Sequence, residues 1–183
     1  MGKQYAALTD EHIHFIATQK IFFVATATET SRVNISPKGM ESLVVQAPNR
    51  IAWLNVTGSG NETSAHVQAC PRMTLMFCAF DGNPVILRLF GTARVLHRGD
   101  PEWGAMFARF KPLPGARQIF DVAIDLVQTS CGMSVPNFDY VGERELLNDW
   151  ARNKGDAGIH DYWEKKNQLS IDGLPTNVLD KSG

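Results

Sequence analysis

Cysteine is scarce in this 183-residue sequence: Cys70, Cys78 and Cys131 are the only three. The number is odd and no C-x-x-C spacing occurs, which excludes a disulfide framework and argues against a structural zinc site. No apolar run approaches the roughly 20 residues that a bilayer-spanning helix needs. Charge of one sign is missing too. A net charge of -1 leaves no electrostatic footprint for nucleic acid, and no lysine–arginine run marks an anionic membrane surface. The opening MGKQYAALTDEH lacks the apolar core and cleavage pattern of a secretory leader, and Ala6 stands where an acylation motif needs serine or threonine. A reducing cytoplasm is therefore the expected setting, where the sequons at Asn34, Asn55 and Asn61 go unused. His12 and His14 lie two apart and point in different directions, so no metal pair is expected. Nothing recurs at a period of 20–50 residues, which excludes a repeat architecture.

What is present is ordinary for a globular chain: 44% hydrophobic and 20% charged residues, enough for one domain that buries roughly two-thirds of its unfolded surface. The organising stretch is Arg50 to Phe80. Ile51 to Val56 is apolar and β-branched enough for a strand. Thr57-Gly58-Ser59-Gly60 then permits a sharp turn or a close backbone approach. Ser59 and Glu62 have the spacing of a capping box, for a helix reaching about Ala69. Pro71 stops it, and Met73 to Phe80 returns as a strand. A helix start behind glycines gathers unpaired N–H groups that favour an anion such as a phosphate ester. The same pattern serves equally as a tight, capped connection with no ligand, and Glu62 sets a carboxylate beside the donors.

Before this unit, Thr9 caps a helix fading near Gln19, with Leu8 and Ile13 spaced for a hydrophobic staple. Ile21 to Thr28 and Arg32 to Ser36 read as a hairpin, and Leu43 to Gln46 as a short strand. Between them Ser36-Pro37-Lys38-Gly39 offers a hydroxyl and an ammonium at a strand end, or simply a surface turn. After it, Asp81-Gly82-Asn83-Pro84 turns into a long strand, Val85 to Val95. Arg88 interrupts that apolar run, either on a solvent face or held by a buried anion. Asp100-Pro101 begins a helix with Trp103, Met106, Phe107 and Phe110 as core. Gln118 to Thr129 is a further strand, Glu143 to Asn153 a helix stopped by Lys154-Gly155, and an amphipathic segment surrounds Tyr162 and Trp163. Ser170 to Pro175 is turn-like, and the last few residues are expected to be loose. Six or so strands with short connections and no βαβ alternation point to an antiparallel barrel with attached helices, although composition also admits a sandwich.

Several segments, in this order, resemble the pyridoxamine 5′-phosphate oxidase-like flavoproteins. They are strand Ile21–Thr28, Asn34-Ile35-Ser36-Pro37-Lys38-Gly39, Gly58-Ser59-Gly60-Asn61-Glu62-Thr63 and Pro71-Arg72. Ile86-Leu87-Arg88-Leu89-Phe90-Gly91, Ser130-Cys131-Gly132-Met133-Ser134-Val135-Pro136 and Ser170-Ile171-Asp172-Gly173-Leu174-Pro175 resemble one subgroup of that family. The likeness spans roughly residues 9 to 175. It implies a mainly β fold with helices, a six-stranded antiparallel split β-barrel of Greek-key type, with residues 1–140 as the FMN-binding domain and 141–183 as a helical extension and tail. It also implies a homodimer with FMN between subunits. The cofactor-binding set it implies is Asn34, Ser36, Pro37, Lys38, Leu54, Asn55, Ser59, Asn61, Glu62, Thr63 and Arg88, with Lys38 and Arg88 as anion contacts.

Three departures bear on activity. Glu62-Thr63 stand where the oxidase carries basic residues at the start of its central helix. The oxidase's C-terminal tryptophan–arginine segment has no match, and neither do its substrate-phosphate residues. The expectation is an FMN-dependent oxidoreductase acting on a small organic molecule other than pyridoxamine phosphate, the alternative being a non-catalytic flavin-binding or redox-sensing protein. No catalytic residue or metal is implied. His66 reads as a satisfied interface or surface histidine rather than a proton donor, and Cys131 as a small residue packed at a strand end.

Overall fold

The computed structural model describes residues 2–179; the final residues expected to be loose lie largely outside that range. Eight strands and four helices alternate in the order β1 (Lys3–Tyr5), α1 (Asp10–Thr18), β2 (Phe22–Thr26), β3 (Asn34–Lys38), β4 (Leu43–Ala47), β5 (Arg50–Val56), α2 (Glu62–Ala69), β6 (Arg72–Cys78), β7 (Val85–His97), α3 (Trp103–Phe107), β8 (Ala116–Cys131) and α4 (Leu146–Lys166). The strand count is eight rather than six. The three-residue β1 carries no β-branched run and exists through its pairing with β8.

All strands form one antiparallel sheet, ordered β3-β2-β6-β7-β8-β5-β4. The spine is β8. One edge pairs with β7 from Val85–Cys131 to His97–Gln118, while the other pairs first with β5 and then with β1. The two ends of the order, β3 and β4, are consecutive in sequence, so residues 39–42 join the sheet's edges covalently, and no ladder between them is found among the described residues. At Gly91 the register between β7 and β8 shifts. A Cβ there would lie 2.0 Å from the Ala123 carbonyl oxygen, so only glycine fits.

The main core fills the curl of the sheet. Trp53 stacks on Phe120 with ring centroids 4.7 Å apart, and Phe22 stacks on Phe77 at 5.7 Å. A second cluster lies between β5, β8 and α3, built from Ala52, Leu54, Leu96, Met106, Phe110 and Ile119. Strand β5 is thus buried on both faces, as its unbroken apolar run anticipates. Arg50 and Arg94 both pair with the buried Asp121 carboxylate, at 2.6 and 2.9 Å.

One cap gains a partner the sequence reading did not name, and one helix boundary differs from it. Thr9 does cap α1, but its reciprocal partner is His12, whose Nδ1 accepts from the Thr9 N–H at 3.1 Å. The helix around Trp150 does not end at Gly155. That residue, at φ 63°, kinks α4, which resumes and carries Trp163 to its end. Beyond α4 the tail folds back over α2: the Ser64 hydroxyl and the Gln68 amide both donate to the Thr176 carbonyl, at 2.9 and 2.8 Å. No described helix is long and apolar enough to cross a membrane.

Candidate functional site

The residues of β3 alternate against custom. Val33, just before the strand, and Ile35 are 68% and 65% exposed, while Asn34, Ser36 and Lys38 turn inward. A period of two with the polar set inside requires polar surroundings. Those surroundings are a cavity of about 300 Å³ between β3, the end of β5 and the Gly58–Thr63 turn.

Two cations face this cavity. Lys38 Nζ sits 5.1 Å from the centre of the Trp53 ring. Burial, with the Arg117 charge adding to it, pulls its ammonium from 10.5 down to about 8. Arg117, 3% exposed, enters from the start of β8. Burial pushes its guanidinium below the ordinary arginine value, but arginine starts so high that it keeps its proton at neutral pH. Its Nη1 donates to Asn167 Oδ1 at 2.6 Å and its Nη2 to the Gly60 carbonyl at 3.1 Å. Neither cation has a carboxylate within ion-pair distance among the described residues. Two uncompensated positive charges in a partly dry cleft call for a counter-anion.

The polar atoms say the same. Ser36 Oγ, both side-chain atoms of Asn61, and Arg117 Nε are buried without a protein partner. Such atoms are rare in native proteins and mark a ligand or water position. The capping box on Ser59 does not form. Asn61 occupies the cap position with no side-chain hydrogen bond, and Glu62 is already helical. The first N–H groups of α2 therefore stay uncapped beside the cations. Glu62, which the sequence set against an anion, turns its Oε2 to the Ile171 N–H at 2.9 Å. Thr63 accepts from Asn34 Nδ2 at 3.2 Å.

Of the residues anticipated, Asn34, Ser36, Lys38, Asn55, Ser59, Asn61, Glu62 and Thr63 line this one cavity, together with Trp53, Gly58 and Arg117. Three are placed elsewhere. Leu54 belongs to the cluster under α3, because β5 alternates and Trp53 and Asn55 take the inner face. Pro37 lines a neighbouring apolar cavity of about 810 Å³, which Lys38 also borders and which Phe80, Phe138 and Tyr140 wall. Arg88 lies on the face opposite Leu87 and Leu89 and donates to Ser130 Oγ at 2.9 Å. His66 is not on the surface of the chain. It is 1% exposed, with Nδ1 3.1 Å from the Thr26 hydroxyl. Arg117 was missed: at a strand entrance an arginine reads as solvated, and its burial depends on Asn167, 50 residues later.

Comparison with known proteins adds three findings. A family model described as pyridoxamine 5′-phosphate oxidase matches residues 8–131. The pyridoxamine 5′-phosphate oxidase family protein ustO of Aspergillus flavus is 35% identical over 191 residues, covering 93% of this chain and 76% of that protein. Among solved structures, a candidate pyridoxamine 5′-phosphate oxidase from Lactobacillus delbrueckii superposes with a TM-score of 0.54 at 21% identity, over 67% of this chain and 94% of that one. Group A Streptococcus HupZ does so with a TM-score of 0.54 at 18% identity, over 72% and 99%. These last likenesses are of fold: mainly antiparallel strands in a split barrel, with a few helices.

Proposed function

The chain belongs to the pyridoxamine 5′-phosphate oxidase family, and on that premise we propose that it binds FMN by its phosphate end in the cavity of Lys38 and Arg117, and acts as an FMN-dependent oxidoreductase on a small organic molecule. The observation that carries this reading is the set of buried, unpartnered donors, Ser36 Oγ, Asn61 Nδ2 and Arg117 Nε, beside two cations that lack a counter-ion. A phosphate ester satisfies the whole set, since it brings close to two negative charges and three strong acceptor oxygens.

Lys38 supplies a point charge and Arg117 a planar fork with one free edge, so the two hold different oxygens. The uncapped start of α2 contributes amide donors and a favourable dipole. Flavin supplies hydride and electron transfer when bound, while the protein supplies binding, orientation and access. Within that division Trp53, stacked on Phe120 and beneath Lys38, keeps the cavity's floor rigid.

A homodimer is part of the same proposal, supported by the exposed outer face of the edge strand β3, where Ile35, and Val33 just before the strand, lie uncovered. Residues 1–140 then form the flavin-binding domain, with the later residues as its extension.

Absorption spectra of purified protein, with mass identification of the released ligand, test the reading. A yellow dimer releasing FMN is expected. Arg117→Met should weaken FMN binding about 10- to 100-fold, the cost of one charge-assisted hydrogen-bonding partner. A colourless chain indifferent to added FMN overturns the reading. Anaerobic mixing with NADH or NADPH separates enzyme from carrier: bleaching of the flavin supports catalysis, and an inert flavin a binding or sensing role.

A further inference from the structure

Asn167 lies beyond α4 and is fully buried, yet it is not among the residues that line the cation cavity. An asparagine with no exposure needs a reason, and four of its atoms have one. Its Oδ1 accepts from Arg117 Nη1 at 2.6 Å. Its Nδ2 donates to the carbonyls of Gly58 at 3.1 Å and Ser59 at 3.4 Å. Its own carbonyl accepts from Thr176 Oγ1 at 2.5 Å, and its N–H donates to the Trp163 carbonyl at 3.0 Å. Arg117 Nη2 then takes the next carbonyl of the turn, Gly60.

Three consecutive carbonyls, of Gly58, Ser59 and Gly60, are thus held on the side of Asn167 and Arg117. In a trans peptide the N–H points opposite to the C=O, so the amides of Ser59, Gly60 and Asn61 are turned the other way as a set. Glycines at 58 and 60 would otherwise leave that set free to rotate. The same contacts fix the guanidinium through Nη1 and Nη2 and leave its buried Nε–H without a partner. We infer that Asn167, clamped by Thr176 and the folded-back tail, is a positioning residue that aligns the glycine-turn amides and Arg117 for a terminal phosphate. It touches no ligand itself. The inference rests on the flavin-phosphate reading of the same site, and it assigns the C-terminal segment a part in phosphate selectivity.

The test compares FMN, riboflavin and inorganic phosphate as ligands of the full chain, by fluorescence quenching for the flavins and by calorimetry for phosphate. Asn167→Ala removes the clamp. Asn167→Asp keeps its volume and its bond to Arg117, but sets lone pairs against the carbonyls of Gly58 and Ser59 and partly neutralises the guanidinium. Both variants should lose about 10- to 100-fold in affinity for FMN and for phosphate while riboflavin affinity changes little, so the preference for FMN over riboflavin shrinks. General destabilisation would instead lower both flavins together. Should Asn167→Ala fail to melt cooperatively, Asn167→Asp and Thr176→Val carry the test. A folded variant that keeps the parent's FMN-to-riboflavin ratio overturns the clamp alone. A parent chain that binds phosphate but neither flavin overturns only the flavin reading, and the phosphate arm then decides the clamp. A parent chain that binds none of the three overturns both.

Discussion

Raising the pH from about 7 to about 9.5 should weaken FMN binding while stabilising the ligand-free chain, because both responses pass through Lys38. In the free protein, burial first and the Arg117 charge second bring its ammonium from 10.5 to about 8. A bound phosphate dianion opposes both effects, so the lysine titrates higher in the complex. The ester's own second proton leaves near pH 6 and is already gone. Below about 8 the lysine is charged with or without ligand, and affinity is flat. Above it, each pH unit costs up to tenfold, about 1.4 kcal/mol, so the loss between pH 7 and 9.5 reaches about 30-fold.

Stability takes the opposite sign. The folded pKa lies below the unfolded one, so this contribution is complete above 10.5 and is lost as pH falls through about 8. FMN titrations followed by flavin fluorescence, beside thermal melts without ligand, measure both on one sample. Lys38→Met should flatten the affinity profile at a uniformly weaker level and remove the lysine's share of the melting shift. Wild-type affinity unchanged across this range, or a slope that survives in Lys38→Met, would refute the reasoning.

Two further outcomes concern the scaffold. Asp121 is pushed up by burial, but hydrogen bonds from Arg50 and Arg94 outweigh this and hold it below the usual carboxylate range. Its contribution is present above the ordinary carboxyl pKa and is lost as pH falls through the depressed value. Asp121→Asn should therefore cost about 1–3 kcal/mol at neutral pH and blunt the acid limb of a urea-denaturation series. Gly91→Ala should cost about 3 kcal/mol or abolish folding, since the added carbon meets backbone that can only move by breaking the β7–β8 ladder; circular dichroism melts of the variant decide it.

Much of this molecule was legible before its structure. The strands from Phe22 to Val56 follow from β-branched runs between turn residues, and Ser36 and Lys38 share a face by the period of two alone. What failed depends on contacts distant in sequence. Phase along β7 is set by which face the sheet curls around, so Arg88 could not be assigned a side from its neighbours. Ser59 and Glu62 had the spacing of a box, but the chain enters α2 two residues later, and Glu62 instead accepts from Ile171 in the returning tail. Arg117 was invisible for the same cause: its burial is made by Asn167 and Gly60, neither of which is near it in sequence.

The connection of residues 39–42 has a mechanical consequence. Met40 and Glu41 both adopt positive φ, 61° and 53°, an uncommon choice for side-chain-bearing residues that lets four residues bridge two sheet edges. Lys38 stands on one bank of this gap and Trp53 and Asn55 on the other. Across the gap the two banks are joined by these four residues, with no ladder between them among the described residues, and the Leu54 N–H donates to the Ser42 carbonyl at 2.8 Å, so the width of the mouth is set by this short turn rather than by strand pairing.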